Sequence, residues 1–427
     1  MLEDLRKVWK IEELRKKIIY TFLMLLLYRL VSVIPAPGIN KATLMAGTAA
    51  TNLPLLDLVN MMTGNAFSQM TIMAMGITPY INASIIMQLL TIAIPALERM
   101  QNDESGDGRE KIARITRYVT VGLAALQAIG LAAGLQYIDK SSWLNYVLVG
   151  LSMAGGAAFA MWLGERITEK GIGNGISLLI FVGIISNIFN GIVSGFNSAQ
   201  TTRAIIETVG LIALCVLMTL AVTYVELGER RIPLNISKQT RGRRVYGGQN
   251  TRMTLKVVSV GVLPLIFAYS FMSFPSTIIQ LCDPNANGGF AQWWSRNMSS
   301  TSWLYILICA LLIIAFTFFY SSISFDPKKQ AEQLQMQGAT IPGQRGKNTY
   351  LYLKNTVNRL NLFAALFLAV LSAIPSLLTR FMTTVSIPFS ASSILIAVSV
   401  SLETLRMIQG EMSIRGVQMD MDKGGFM

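Results

Sequence analysis

LLDLVNMMTGNAFSQMTIMAMGITPYINASIIMQLLTIAI, residues Leu55–Ile94, decides how this chain is built. Its second part, Met75–Ile94, is apolar and about as long as the roughly 20 residues that carry a helix across a bilayer. Its first part is not, because Leu55–Ser68 carries Asp57, Asn60, Gly64 and Asn65 among its apolar residues. Leu55, Leu56, Val59, Met62 and Ala66 keep a loose helical spacing, which predicts a short helix with one apolar side. Such a piece cannot cross a membrane. It can fold into a membrane protein from one side, provided protein or water satisfies its polar atoms. Gly76-Ile77-Thr78-Pro79 supplies the break between the two parts. The stretch therefore reads as a short re-entrant helix, Leu55–Gln69, leading into a full span, the shape expected where a membrane protein lines a cavity.

The remainder of the chain agrees. Of its 427 residues, 52% are hydrophobic, and the mean hydropathy is +0.49. These values predict a polytopic, all-α membrane protein with one integral membrane domain. The apolar run after basic Met1–Lys17 ends in Val31-Ser32-Val33-Ile34-Pro35, with no small-residue cleavage site, so the first span is expected to be retained. Cys215, Cys282 and Cys309 show no metal or redox spacing. There is no histidine, which removes the commonest general base and metal ligand. No metal, no cofactor and no enzymatic activity are expected.

Met1–Lys17 reads as a basic amphipathic stretch on the membrane surface. Ten spans follow: Ile18–Ile34, Met75–Ile94, Tyr118–Tyr137, Trp143–Leu163, Ile176–Phe196, Ala204–Val225, Val257–Leu281, Trp303–Ser322, Leu360–Leu378 and Ile387–Leu402. With the N-terminus inside, 30 of the 36 Lys and Arg fall on inside segments and 5 on outside ones, and Arg29 lies within the first span. That asymmetry predicts that both termini are cytoplasmic. The net charge of +13 is mostly this topology signal. Arg230–Arg252, with seven basic and no acidic residues, suits anionic lipid or an acidic or RNA-bearing partner; charge alone favours lipid. Ten spans divide as five plus five, and an odd repeat unit must be inverted relative to its partner. The expected halves are residues 1–203, with the re-entrant segment, and 204–427, with the large cytoplasmic loops.

Several stretches resemble the SecY family, the central subunits of protein-conducting channels. Gly76–Leu90, GITPYINASIIMQLL, looks like the family's second-helix signature. Gly164–Ser177, GERITEKGIGNGIS, resembles its fifth-helix signature. Arg230-Arg231-Ile232-Pro233 and Gly242-Arg243-Arg244-Val245-Tyr246 match its large cytoplasmic loop, and Ile341-Pro342-Gly343 matches the next one. Arg345 is followed directly by Gly346, where the family pattern has a proline. The resemblance covers nearly the whole chain.

The resemblance implies an hourglass pore closed by an apolar ring and a plug. The ring would be Ile81 and Ile85 of the second span, Ile180 and Ile184 of the fifth, Ile266 of the seventh and Ile396 of the tenth. Both pairs are four apart, on one helix face. Stiff β-branched side chains suit a gasket, and a narrow apolar waist excludes ions by dewetting. From composition alone such isoleucines would be assigned to lipid or helix packing. The plug would be the re-entrant helix, including Leu55, Leu56, Val59, Asn60, Met62, Gly64 and Phe67. A lateral seam between the second and third spans and the seventh and eighth would carry Gln88, Thr91, Gln127, Ser270 and Ser273, and would release apolar segments into lipid. Interhelical hydrogen bonds in lipid average only about 0.6 kcal/mol, so such a seam can open.

The chain has no phosphate-binding loop of the GxxxxGK[ST] kind. In the family the driving partner is the motor ATPase SecA or a translating ribosome. Arg241, Arg243, Arg244 and Arg345 are the implied docking residues. SecE and SecG would be small membrane subunits, with preprotein signal sequences and membrane lipids as further partners, in the bacterial plasma membrane. The competing reading is a secondary transporter of a small solute, which also uses broken helices. Transporters usually carry ionisable residues within their spans, and here Arg29 is the one basic residue inside a span.

Overall fold

The computed structural model describes residues 9–38, 63–64, 66–67, 69–101, 107–134, 143–198, 202–236, 239–241, 244–246, 250–282, 289–298, 302–343, 347–381 and 391–415. Its helices are α1 Glu12–Val31, α2 Thr78–Ala93, α3 Pro95–Gln101, α4 Asp107–Gly134, α5 Trp143–Lys170, α6 Gly175–Ser198 and α7 Thr202–Leu227, then α8 Leu263–Cys282, α9 Gly289–Asn297, α10 Trp303–Ser324, α11 Pro327–Met336, α12 Lys347–Phe381 and α13 Ala391–Ile414. Each expected span falls on one of them: α1, α2, α4 to α8, α10, α12 and α13. Among the described residues six helices are long and apolar enough to cross a membrane by themselves, and up to seven if the bent pair α2–α3 counts as one. Phe22, Leu126, Leu220 and Leu311 are all exposed by 60% or more. Side chains of that size turned outward around the helices are a lipid-facing surface, not a water-facing one.

The helices run past the apolar limits read from the sequence. α4 begins at Asp107 rather than Tyr118, and α12 at Lys347 rather than Leu360, because hydropathy marks the lipid-embedded part and not the polar turns that continue it into water. α1 is continuous across the Lys17–Ile18 junction, so the expected surface stretch and the first span share one helix. Two spans start later than expected. Gly76 has φ +49 and Pro79 occupies the first turn of α2, so that helix begins at Thr78, not Met75. Val257–Val262 form turns ahead of α8. Hydroxyls inside the helices satisfy themselves: Thr120 donates to the Thr116 carbonyl (2.7 Å) and Thr317 to that of Ile313 (2.6 Å), the usual way such residues are tolerated away from water.

Contacts divide the chain into two compact units. One comprises Met1–Val193, Thr277–Asn287 and Val400–Met427; the other Ser194–Ser276 and Gly288–Ser399. In the first, α4, α5 and the segment before α2 share a core of Phe67, Met70, Met75, Ala128, Met153 and Ala157. A Cβ on Gly156 would overlap the Ile72 carbonyl. The backbone of the segment thus lies directly on α5, as small residues permit in lipid. Elsewhere in this unit Leu14 of α1 packs with Ile172 and Met412.

In the second unit the basic loop is a sheet. β1 Glu229–Ile236 pairs antiparallel with β4 Asn250–Lys256, and β5 Ala339–Thr340 pairs with the end of β1 at Asn235 and Ile236. β2 Gln239–Arg241 and β3 Arg244–Tyr246 form a hairpin. Ile232 and Leu234 point into a core with Leu255, Leu334, Ile341 and Leu353, while Arg231 and Pro233 are exposed. Pro233 is tolerated because β5 does not reach it, which leaves that side of β1 an edge. Asp326 caps α11 by accepting from the backbone N–H of Lys328 (2.9 Å). The expected turn at Ile341-Pro342-Gly343 is present, with Gly343 at φ +80.

Candidate channel site

The end of α1 and the segment before α2 are stitched together. Pro35 and Thr71 form an antiparallel bridge, Ala36 donates its N–H to the Met70 carbonyl, and Ile72 donates to that of Ile34, each at 3.0 Å. Within the segment, Thr71 donates both its N–H (3.1 Å) and its hydroxyl (3.2 Å) to the Ala66 carbonyl. From Ala66 to Ile77 the described residues form turns rather than helix. Positive φ at Gly64, Met70 and Gly76 is incompatible with a continuous helix, so the helix expected to reach Gln69 does not extend over Ala66–Gln69. Phe67 is buried in the core with Met70 and Met153. Leu55, Leu56, Val59, Asn60 and Met62 lie outside the described residues.

The segment meets α6 at the expected ring positions of that helix. Thr63 and Ile180 line one narrow crevice with Tyr28, Ile77 and Thr78, and the buried Thr78 hydroxyl has no hydrogen-bond partner among the described residues. A Cβ on Gly64 would stand 3.0 Å from the Gly183 carbonyl oxygen, one residue before Ile184. Ile184 is 1% exposed and its neighbour Ile185 46%, so the two face opposite environments. On α2, Ile85 is buried and Ile81 half-buried. In the second unit Ile266 of α8 is half-buried and Ile396 of α13 buried.

Of the expected seam residues, Gln88 is exposed on α2 and Gln127 half-buried on α4, two helices that pack together. The buried Thr91 hydroxyl donates to the Met87 carbonyl of its own helix, which leaves it only acceptor capacity toward a neighbour. The side chains of Ser270 and Ser273 lie outside the described residues. In the basic loop Arg241 and Arg244 are register partners of the β2–β3 hairpin, and Arg243 and Arg345 lie outside the described residues. The sequence reading missed the sheet itself. The alternation Arg231-Ile232-Pro233-Leu234 was the available signal, masked by the charge.

Two ion pairs join helices of the first unit. Arg117 of α4 meets Glu165 of α5 at 2.6 Å, and Lys17 of α1 meets Glu411 of α13 at 2.6 Å. The hydrogen bond from Lys17 holds the Glu411 carboxyl below the ordinary carboxylate range. Among the described residues no group of His, Cys, Asp and Glu could hold a metal ion.

The SecY family model matches residues 71–405. A protein translocase subunit SecY of Corynebacterium glutamicum is 37% identical, over 95% of this chain and 97% of its own length. The subunit of the same name from Aquifex aeolicus is 35% identical, over 96% and 97%. Among solved structures, a protein-conducting channel superposes with a TM-score of 0.66 at 21% identity, covering 93% of this chain and 92% of its own. Sec61 in the canine ribosome–channel complex gives 0.63 at 19%, covering 93% and 92%. These two likenesses extend over the helices and turns described above.

Proposed function

We infer how this chain works from one premise: it belongs to the SecY family. It is a multi-pass membrane protein and a protein-conducting channel subunit, and family membership replaces the reading as a transporter of small solutes. We propose that residues 1–203 and 204–427 are the two halves of the channel, with Ile81, Ile85, Ile180, Ile184, Ile266 and Ile396 as its apolar ring. The observation that carries the reading is the meeting of the re-entrant segment with α6: Thr63 shares a crevice with Ile180, and Gly64 faces the Gly183 carbonyl. A polar, non-spanning segment at that depth suits a plug.

The chain passes unfolded preproteins across the bacterial plasma membrane and releases apolar segments through the seam of Gln88, Thr91, Gln127, Ser270 and Ser273. Both termini are cytoplasmic, as the Lys and Arg asymmetry supports. The chain performs no chemistry of its own. SecA or a ribosome docks at the cytoplasmic sheet, and SecE and SecG accompany the channel in the bilayer. Deleting Asn60–Phe67 tests the plug. Preprotein transport into reconstituted vesicles continues, while the resting permeability to small ions rises; an unchanged resting conductance rejects the assignment.

A further inference from the structure

Gly171–Asn174 joins α5 to α6, and the channel reading above gives this turn no part. It is built without slack. Gly173 takes φ +81. Asn174 closes the start of α6, its Oδ1 accepting from the N–H of Ile176 (3.1 Å) and of Ser177 (3.4 Å). Thr168 of α5 donates its hydroxyl to the Gly164 carbonyl and accepts from the Gly175 N–H, each at 2.9 Å. The two helices touch through backbone here. A Cβ on Gly175 would overlap the Gly164 carbonyl, and one on Gly164 would stand 2.8 Å from Cγ1 of Ile176.

One N–H of the turn is satisfied from another helix. Ile172 donates its N–H to Thr21 Oγ1 of α1 at 3.0 Å, and the Thr21 hydroxyl donates onward to the Lys17 carbonyl at 2.9 Å. Thr21 and Ile172 are both buried, and a buried N–H needs an acceptor. A Cβ on Gly171 would strike Thr21 Oγ1, so the bare backbone at 171 is what lets the hydroxyl approach. The Ile172 side chain packs with Leu14 of α1 and Met412 of α13. A Cβ on Gly173 would stand 3.3 Å from the Thr404 hydroxyl of α13. The apex of the turn is thus held by the first helix and the last.

What this hold governs is α6. Ile180 and Ile184 lie within about the first three turns of that helix. A helix is stiff, so fixing its first residues fixes the direction in which later side chains point. We propose that Thr21 is a positioning residue of the apolar ring: its hydroxyl seats the α5–α6 turn on α1 and so sets the rotation at which α6 presents Ile180 and Ile184. This rests on the ring reading given above.

The test is the resting conductance of the purified channel in planar bilayers, measured beside the content of folded channel. Thr21→Val keeps the shape of the side chain and removes the hydroxyl. It raises resting conductance about threefold, equal to about 0.7 kcal/mol at 1.4 kcal/mol per tenfold. Thr21→Ser, which keeps the hydroxyl, stays at the wild-type level. Gly171→Ala, with Thr21 intact, displaces the hydroxyl from the other side and gives the same rise; it decides the matter if Thr21→Val fails to accumulate. Ile184→Ala reports on the ring itself and is leaky. Wild-type conductance in Thr21→Val and Gly171→Ala, with Ile184→Ala leaky, overturns the positioning role and leaves the ring standing, even if less folded channel is recovered. A Thr21→Ser channel as leaky as Thr21→Val also overturns it, because the hydroxyl is then not what acts. A silent Ile184→Ala removes the ring, and the positioning role with it.

Discussion

At the scale of single residues, the positions readable in advance were those whose meaning is local. Gly76 and Pro79 break a helix whatever surrounds them, and the join between segment and span fell where they stand. Gly156 was not readable in this way. Its role is a close approach to the Ile72 carbonyl, and no property of residue 156 alone identifies residue 72 as its partner. The neighbouring glycine makes a control, since a Cβ on Gly155 would meet nothing within 4 Å. Gly156→Ala therefore costs about 1–3 kcal/mol through overpacking. Gly155→Ala is neutral or stabilising by up to about 1 kcal/mol through helix propensity. Thermal unfolding of the two variants in detergent separates these outcomes, and equal midpoints would show that the α5 contact does not constrain the segment.

Elements were legible in proportion to their apolar content. Each expected span has a helix over it, and six of those helices are long and apolar enough to cross a membrane by themselves among the described residues, because lipid demands long apolar runs and leaves few other solutions. Their polar extensions were not seen, and neither was the sheet of β1, β4 and β5, whose inward positions, Ile232, Leu234 and Leu255, are few among many charges. The sheet changes how the basic loop is understood. Arg231 and Arg252 are carried on the strand pair β1–β4, which covers a packed core, and Arg241 and Arg244 are register partners of the β2–β3 hairpin. Reversal of Arg243 and Arg345 to Glu is expected to cut preprotein translocation at least tenfold. The loss of two favourable charges is compounded by repulsion from an acidic docking surface. Membrane insertion and the content of folded channel stay at wild-type levels. Full translocation by the doubly reversed channel would exclude the loop tips as the docking surface.

At the scale of the whole molecule, composition, charge asymmetry and motif order were enough for the family, because a ten-span topology is a one-dimensional pattern. Pairings distant in sequence were not available that way. Lys17 and Glu411 are one such pair, and Arg415 joins them by reaching Glu13 at 2.6 Å. The first helix and the last are thereby clasped together. The folded Glu411 carboxyl titrates below its ordinary value of 4.5 because of the hydrogen bond from Lys17. Its contribution is accordingly complete above about pH 4.5 and is lost as the pH falls through the depressed folded value. For a pair this exposed the contribution is about 0.2–1 kcal/mol. Hydrogen exchange in the last turns of α13, corrected for intrinsic rates, should quicken on acidification in the wild type, whereas Glu411→Gln should already be quick at neutral pH. A variant that keeps the wild-type profile would assign the acid sensitivity elsewhere. The bridge between Pro35 and Thr71 has a different consequence. It fastens the end of α1 to the chain just before α2, so the two helices are tied to each other by backbone and not only through the residues between them. Because doubling a closed loop costs only about 0.6 kcal/mol in closure entropy, residues inserted after Gly38 should leave that tie intact.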